Sequence, residues 1–367
     1  MNLLLIIILL LFQTFCNNVE PNYQGHEKTD SINININIQN WNIFTTENSG
    51  ISANSIKVLE VDNQNNLWIG TFSNGLIRYN GISWEVFDTS NSNLPSNCIR
   101  SLTVDKNNTI WIGTINGLAN YDGINWTIYN TSNSILTYDV ISTLAVDNNN
   151  VLWIGCGHLT AGGVFTVEGK NWNSFTKENS ALPSSIINVI HIDIQNNKWI
   201  GTAAGVVKID DQNNWNVYSK NNSNLLFGGI NAITTDFDDN VWLGANELEK
   251  LDFEHYYGGL QKFDGKIWFN YSPHLNGVYN PNAKTSNRVD HLICDKSGYL
   301  LIATETEGKY PYNLSFFKNG VWKNISDIIE GFPTNLFVRD IKFDKNNTLW
   351  MATQLGVISI NYSVRHN

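Results

Sequence analysis

The sequence predicts an all-β protein: a single seven-bladed β-propeller with four strands in each blade. The prediction rests on two motifs that each occur seven times and on a composition typical of β proteins. The 367 residues include 13 tryptophans and 27 glycines, only 15% of the residues are charged, and many apolar runs are short. Aromatic and β-branched residues favour strands, and short strands between turn residues at regular spacing are typical of closed β architectures.

The first motif is a short segment that most often reads Trp-Ile-Gly-Thr. An aspartate precedes each copy by six residues, and Asn, Asp or Gly follows each aspartate by three. An aspartate that caps backbone N–H groups, followed by a residue that tolerates positive φ, is typical of a tight hairpin turn. The copies begin at Trp68, Trp111, Trp153, Trp199, Trp242, Leu301 and Trp350.

The second motif is a tryptophan followed three residues later by an aromatic or apolar residue. Its copies begin at Trp41, Trp84, Trp126, Trp172, Trp215, Trp268 and Trp322. The two motifs together use all 13 tryptophans. Each unit reads as four short strands, and four-stranded units that recur about every 40 to 50 residues are typical of propeller blades.

The two motifs are offset around the predicted ring. The chain opens with a second motif at Trp41 and ends on a third strand at 356–362, so the N-terminal segment should supply the outer strand of the last blade. This pairing removes two free strand edges. Residues 31–40 alternate Ile with polar residues and either extend that strand or add another. We expect the propeller to span 39–363, after a polar linker at 17–38.

The N-terminus predicts export. Residues 1–16 contain an apolar core that is short for a membrane span and typical of a signal peptide. Cys16 stands where a bacterial lipoprotein carries its lipidated cysteine, and ordinary cleavage after Cys16 is the alternative that stays open. The expected location is extracytoplasmic, as a periplasmic protein, a cell-surface lipoprotein or a secreted protein.

Charge and motif content exclude several classes of protein. The net charge is −10 and no Lys/Arg run is present, which argues against nucleic-acid binding. Membrane contact is expected only through a lipid on Cys16. The remaining cysteines have no metal-ligand spacing, and no metal or other cofactor is expected.

The segment from Asp105 to Tyr121 resembles the two-component regulator propeller repeat, which is common in periplasmic ligand-sensing domains of bacterial hybrid sensor kinases. The resemblance extends over residues 41–362. In those sensors an Ig-like domain, a membrane helix and a kinase follow the propellers, and none of them is expected within this sequence. The resemblance implies an exported binding propeller, and because scaffold residues define the family, it implies no ligand-binding residue.

Long insertions in blades 5 and 6 predict a binding site. They span 246–258, 272–287 and 305–313, and all should emerge on one face of the propeller. Tyrosines offer flat apolar faces with a hydrogen-bonding tip, as sugar and peptide recognition requires. The residues expected to stack on the ligand are Tyr256, Tyr257, Tyr310 and Tyr312. The residues expected to orient it are His255, Glu247 and Glu305, and His274 and Tyr279 are further expected ligand-binding residues.

A second candidate site lies at the start of each innermost strand, five residues before the aspartate. These residues should surround the mouth of the central channel on the same face, and they are Lys57, Arg100, Ser142, Asn188, Asn231, Asp290 and Arg339. Blades 7, 1 and 2 are adjacent, so Arg339, Lys57 and Arg100 form a basic arc. Either an anionic ligand binds there or the arc is a hydrated rim.

The predicted function is that of a non-enzymatic exported module that binds a glycan, peptide or protein on this face. The alternative is a glycan hydrolase or lyase that uses carboxylates, His and Tyr from the insertions. Hydrolysis requires paired carboxylates, and no spacing in the sequence demonstrates such a pair, so no catalytic residue is assigned.

Overall fold

The computed structural model describes residues 36–158, 161–226, 228–245, 259–271, 274–275, 278–279, 289–304, 314–319, 321–333 and 336–364. Its strands form seven antiparallel sheets of four strands each, together with one two-stranded hairpin. The innermost strands of consecutive blades contact one another, and the innermost strand of blade 7 contacts that of blade 1. The predicted seven-bladed propeller is therefore confirmed.

The strands are numbered in chain order, and the first strand of each blade is the innermost. Blade 1 contains β2 Ile56–Val61, β3 Leu67–Thr71, β4 Leu76–Tyr79 and β5 Trp84–Phe87. Blade 2 contains β6 Ile99–Val104, β7 Ile110–Thr114, β8 Gly117–Tyr121 and β9 Trp126–Tyr129. Blade 3 contains β10 Ile141–Val146, β11 Leu152–His158, β12 Ala161–Glu168 and β13 Asn171–Phe175. Blade 4 contains β14 Ile187–Ile192, β15 Lys198–Thr202, β16 Gly205–Ile209 and β17 Trp215–Tyr218.

Blade 5 contains β18 Ile230–Thr235, β19 Val241–Ala245, β20 Gly259–Phe263 and β21 Trp268–Asn270. The hairpin that follows contains β22 His274–Leu275 and β23 Val278–Tyr279. Blade 6 contains β24 Val289–Cys294, β25 Leu300–Thr304, β26 Leu314–Lys318 and β27 Val321–Asn324, followed by a 3₁₀ helix at Ile325–Asp327. Blade 7 contains β28 Val338–Phe343, β29 Thr348–Thr353, β30 Val357–Val364 and β1 Ile36–Phe44. Within these residues, no helix has the length and apolarity needed to cross a bilayer.

The N-terminal strand closes the ring as predicted. β1 pairs antiparallel with β30, with Trp41 opposite Ile360 and Phe44 opposite Val357. The pairing starts at Ile36, so part of the Ile-alternating segment extends this strand, and a register shift lies between Ile38 and Asn40. The predicted signal peptide, including Cys16, lies outside the described residues.

Each inner hairpin turn depends on the repeated aspartate, as the sequence predicted. In blade 4, Asp193 Oδ1 accepts the N–H of Asn197 at 2.7 Å, and Asn196 has a φ of 65°. All seven residues at this turn position have positive φ, and they are Asn65, Asn108, Asn150, Asn196, Asp239, Gly298 and Asn347.

The same carboxylate also binds the first-motif tryptophan, a contact that the sequence analysis did not predict. Asp193 Oδ2 accepts a hydrogen bond from Trp199 Nε1 at 2.9 Å. The bond recurs in the other blades that have this tryptophan, with N···O distances of 2.8 to 3.3 Å. The bond joins the turn to the strand that follows. It also gives the buried indole N–H a hydrogen-bond acceptor, without which that N–H would be unsatisfied. Blade 6 has Leu301 in place of the tryptophan.

The turn asparagines also link neighbouring blades. Asn108 Oδ1 accepts the backbone N–H of Asn63 in blade 1 at 2.7 Å. Equivalent bonds of 2.7 to 2.8 Å join blades 2 to 3, 3 to 4 and 7 to 1. Blade 6 has Gly298 at this position, which offers no side chain to blade 5. The asparagine bond between blades therefore cannot form between blades 5 and 6, which are the two blades that carry insertions.

The glycine of Trp-Ile-Gly-Thr lets one blade approach the next. A Cβ on Gly70 would lie 2.6 Å from Cγ2 of Ile99, the first residue of the next inner strand, and one on Gly244 would lie 2.5 Å from Cγ1 of Val289. Both neighbours are fully buried. In these blades the glycine therefore serves close packing between blades rather than a turn, and blades 6 and 7 have Ala303 and Ala352 at this position.

Aromatic rings join the blades farther out. In blade 1, Trp68 stacks on Phe87 with ring centroids 5.9 Å apart, and Phe87 contacts Trp126 of blade 2 at 5.7 Å. At the closure, Phe44 of β1 occupies the position of Phe87. Its ring centroid lies 5.8 Å from Trp350 of blade 7 and 5.4 Å from Trp84 of blade 1. β1 therefore supplies the aromatic contact between the last blade and the first.

Charged groups on the inner strands reinforce the same closure. The Asp340 carboxylate of blade 7 accepts the N–H of Leu59 in blade 1 at 2.7 Å and lies 3.0 Å from Nδ1 of His291 in blade 6. Lys342 of blade 7 forms a 3.0 Å ion pair with Glu60 of blade 1. Blades 6, 7 and 1 are thus connected by side chains at the innermost level.

His191 is a partly buried histidine of this inner layer. Its Nε2 lies 3.1 Å from Thr235 Oγ1 in blade 5. Burial lowers its pKa to about 4; Asp193 opposes this shift, whereas the positive charges of Lys342 and His291 add to it. His191 is therefore neutral at pH 7.

The aspartate-tryptophan bond should contribute measurably to stability. We expect Asp193→Asn to lower the free energy of unfolding by about 1 to 3 kcal/mol, because the new amide cannot satisfy both the turn N–H groups and the indole N–H. Asp210→Asn is the matched control. Asp210 caps the outer hairpin of the same blade through Asn214 N–H at 2.8 Å, in a turn where Asn213 has a φ of 62°. Urea unfolding followed by circular dichroism measures both variants, and equal losses would contradict the assigned role of the indole bond.

The closure should depend on the ring of Phe44. We expect Phe44→Ala to lower the free energy of unfolding by about 2 to 4 kcal/mol, because contacts with two blades are lost. Deletion of residues 31–46 should lower it further. Phe237→Ala is the control, since Phe237 is 68% exposed and its removal should change stability by less than about 0.5 kcal/mol. Equal unfolding midpoints for the two alanine variants would argue against this closure.

The pKa of His191 predicts a pH dependence of stability. Between pH about 6.5 and about 4 the unfolded chain binds a proton at this residue and the folded chain does not. Its contribution therefore makes stability fall as pH decreases through this window, with no further change below the folded pKa. His191→Gln keeps a donor toward Thr235 and should reduce the slope of unfolding free energy against pH. An unchanged slope would show that other groups account for acid sensitivity.

Candidate functional site

A β-bulge at the start of every inner strand shapes the mouth of the central channel. In each blade the pairing of the first two strands shifts register around the second residue of the inner strand. A bulge leaves that residue outside the ladder and redirects its side chain. The seven bulged residues are Lys57, Arg100, Ser142, Asn188, Asn231, Asp290 and Arg339.

These seven residues line one cavity of about 560 Å³, together with Phe72, Phe337 and Val338. The prediction that they surround a common mouth is confirmed. The volume lies in the range of small-molecule sites, about 300 to 1,000 Å³. The bulges were not predicted, because nothing in a single strand's sequence shows how its partner is paired.

One side of the cavity, here called the basic sector, consists of Arg339, Lys57 and Arg100. Arg339 Nη1 donates to the carbonyl of Ile56 at 3.0 Å, which fixes the guanidinium toward blade 1. The guanidinium carbon lies 4.7 Å from the ring centroid of Phe72, and Lys57 Nζ lies 5.8 Å from it. Phe72 therefore supports two of the three cations by cation–π contact.

Like charges crowd Lys57. Burial lowers its pKa, and Arg100 and Arg339 lower it further, while Asp290 and Asp340 oppose the shift. Arg100 is exposed to the cavity. Among the described residues, no carboxylate lies within ion-pair distance of Lys57 or Arg100. The described surroundings of Lys57 and Arg100 thus compensate their positive charge only in part.

The opposite side, here called the acceptor sector, consists of Ser142, Asn188, Asn231 and Asp290. Asn188 Nδ2 donates to the carbonyl of Ile230 at 3.1 Å, and the Ser142 hydroxyl donates to backbone carbonyls. The Ser142 hydroxyl proton and one Asn188 N–H are thus used on the scaffold, while Asn188 Oδ1, its second N–H and the Ser142 lone pairs remain for a ligand. The Asp290 carboxylate lies on the same side, so polar groups from blades 3, 4 and 6 line it.

The attachment points of the predicted insertions lie at the same end of the blades. Ala245 and Gly259 flank the blade 5 insertion, and Ala245 pairs with Ile230 beside Asn231. Thr304 precedes the blade 6 insertion and pairs with Val289, beside Asp290. The insertions at 246–258 and 305–313 lie outside the described residues, and with them the predicted site residues Tyr256, Tyr257, Tyr310, Tyr312, His255, Glu247 and Glu305.

Two further predicted residues lie in the short hairpin β22–β23. His274 and Tyr279 are paired across it. The structure thus gives their backbone register, and their side chains lie outside its description.

A longer loop in blade 3 was missed by the sequence analysis. β11 and β12 extend toward the channel-mouth face, where Gly157 pairs with Gly162 and His158 with Ala161. In blade 1 the motif threonine, Thr71, instead closes a short turn by donating to the carbonyl of Gly75 at 2.8 Å. Blade 3 has Cys156 in place of that threonine. This substitution, with the extra glycines after it, was the available signal.

The described residues contain little catalytic chemistry. Asp290 is the only carboxylate among the described cavity-lining residues. Burial raises the pKa of the Cys156 thiol to about 12, so this cysteine is not a nucleophile. In the part of the chain that the structure describes, no three His, Cys, Asp or Glu side chains are grouped to hold a metal ion.

Comparisons with known proteins agree with the fold and with the repeat. The family model "Two component regulator propeller" matches residues 50–73 and 93–116. No curated protein matches the chain. Among solved structures, the extracellular domain of BT4673 from B. thetaiotaomicron, described as a hybrid two component system, is 20% identical with a TM-score of 0.63. The match covers 90% of this chain and 40% of that one.

Two other structures show the same architecture. Virginiamycin B lyase from Staphylococcus aureus is 12% identical with a TM-score of 0.64, over 89% of this chain and 99% of the lyase. PorZ, a surface component of the type-IX secretion system of Porphyromonas gingivalis, is 16% identical with a TM-score of 0.61, over 86% of this chain and 47% of PorZ. At these identities the similarity shows the fold alone. The chain is therefore a seven-bladed β-propeller that resembles the two-component regulator propeller repeat family.

Proposed function

We propose that this protein is a non-enzymatic extracytoplasmic propeller that binds a glycan, peptide or protein partner on its channel-mouth face. The observation that carries the proposal is the contrast between the scaffold and the cavity lining. The residue before each bulge is Ile or Val in every blade, whereas the bulged residue ranges from Arg and Lys to Asn, Ser and Asp. Packing requires the repeated residue, and ligand recognition would account for the varied one.

Three features support the choice of this face. The cavity is concave and has the volume of a ligand site. The insertions of blades 5 and 6 and the long hairpin of blade 3 attach around it. We propose that Tyr256, Tyr257, Tyr310 and Tyr312 stack on the partner and that His255, His274, Tyr279, Glu247 and Glu305 orient it.

The location is also a proposal. We propose that residues 1–16 direct export and that Cys16 either carries a lipid or is removed. Two similar propellers, the extracellular domain of BT4673 and the surface component PorZ, support an extracytoplasmic role. The lyase in the same fold shows that a propeller can also be an enzyme. Hydrolysis of a glycan would need a second carboxylate beside Asp290, so the described cavity favours binding over turnover.

A bulky side chain in the mouth should abolish binding. We expect the parent to bind a component of a combined glycan and peptide array, and Asn231→Trp to weaken that binding at least about tenfold because the indole fills the cavity. Asn149→Trp is the matched control, since Asn149 is exposed on an inner hairpin turn at the opposite face. Unchanged binding by Asn231→Trp in a folded protein would place the site elsewhere, and loss of the array component by turnover would show an enzyme.

The same array tests the insertions. The double variant Tyr256→Ala with Tyr257→Ala should weaken binding about tenfold or more if these rings stack on the partner. Binding equal to that of the parent would restrict the site to the cavity.

A further inference from the structure

The chemistry of the cavity lining defines a class of ligand. We infer that the channel mouth binds an acidic sugar, with its carboxylate at the basic sector and its hydroxyl groups at the acceptor sector. This inference rests on the proposed function, because it assumes that the channel mouth is the ligand site. Beyond the proposed function, it assigns the carboxylate and the hydroxyl groups of the ligand to different blades.

The basic sector calls for an anion. Three cations from adjacent blades share one cavity, in a chain whose net charge is −10. Arg339 is held in place by its bond to Ile56, and Phe72 lies against both Arg339 and Lys57. Holding like charges together opposes folding. A bound carboxylate would offset this repulsion, and its two oxygens match the planar guanidinium groups.

The acceptor sector calls for several O–H donors. Asn188 directs one of its N–H groups, and Ser142 its hydroxyl, at backbone carbonyls, and both leave acceptor lone pairs for a ligand. The Asp290 carboxylate lines the same side from a third blade. Because these acceptors come from different blades, a ligand must present donors at separate positions. The hydroxyl groups around a sugar ring do so, whereas a free amino acid offers one ammonium group.

The apolar part of the lining fits the same ligand. Phe72, Phe337 and Val338 are the apolar lining residues, and all belong to the side of the cavity that holds Arg339 and Lys57. Phe72 is 40% exposed. A phenylalanine ring beside the bound carboxylate can contact the C–H groups of the sugar ring that carries this carboxylate. Inorganic phosphate would satisfy the cations but would leave these surfaces and the acceptor sector unused.

Calorimetry with defined probes tests the inference. The probes are methyl glucuronide and a galacturonate disaccharide, with methyl glucoside and a neutral disaccharide as matched controls, together with inorganic phosphate and an acetylated tripeptide with a free C-terminus. We expect each acidic sugar to bind at least about tenfold more tightly than its neutral match. Arg100→Gln should remove most of this preference. Arg78→Gln is the control, because Arg78 pairs with Glu85 on the outer strands of blade 1.

The outcomes separate this inference from the proposed function. Equal affinity for acidic and neutral sugars, or no effect of Arg100→Gln on a folded protein, would overturn the acidic-sugar assignment and leave a ligand site at the mouth. Binding of phosphate or the tripeptide without either acidic sugar would also overturn it. No binding of any probe, together with array binding that Asn231→Trp leaves unchanged, would overturn both.

Lys57 provides an independent readout. A bound carboxylate stabilises the charged amine, so affinity for the acidic sugar should fall as pH rises through the lowered pKa of Lys57. Lys57→Gln should bind more weakly and lose this alkaline dependence. If Lys57→Gln kept the pH dependence of the parent, Lys57 would not contact the carboxylate.

Discussion

The propeller depends on one repeated interaction, the hydrogen bonding of a buried aspartate between two strands. In blade 4, one oxygen of Asp193 holds the turn and the other holds the indole of Trp199. The turn thereby fixes the start of the second strand, and the tryptophan presents its ring to the aromatic side chain of the outer strand at 6.3 Å. A single carboxylate thus relates the inner hairpin of a blade to its outer edge, and this explains why aspartate and tryptophan repeat together.

Neighbouring blades built in this way contact one another at three places. The inner level is the packing of Ile99 against Gly70, and the outer level is the packing of Phe87 between Trp68 and Trp126. The third contact is the row of turn asparagines, which joins blades 7, 1, 2, 3 and 4 in order. At the junction of blades 7 and 1 the chain is not continuous, and β1 restores the outer contact through Phe44. The ion pair of Lys342 with Glu60 lies at this same junction.

The bulge separates the residues that line the cavity from the residues that pack the scaffold. Residues on either side of it remain in register with the next strand, so they must satisfy packing. The bulged residue makes no ladder bonds and points to the channel, so its identity is freed from the repeat. Seven residues of varied type thus stand in a ring on a scaffold whose packing residues repeat. Arg339, Lys57 and Arg100 come together in this ring because closure makes blades 7, 1 and 2 neighbours.

The sequence by itself determined the number of blades, the seven turns and the closing strand, because each follows from spacing within one unit or from the offset between two motifs. It also identified the residues of the channel mouth, since a position repeated seven times in a ring must surround its axis. The tertiary structure alone decided the indole bond of Trp199, the bulges and the contact of Phe72 with Arg339. The first two depend on side-chain direction and strand pairing within a blade, and the third depends on the packing of blade 7 against blade 1. Local pattern does not encode such geometry, because it is set only when the strands pair and neighbouring blades pack.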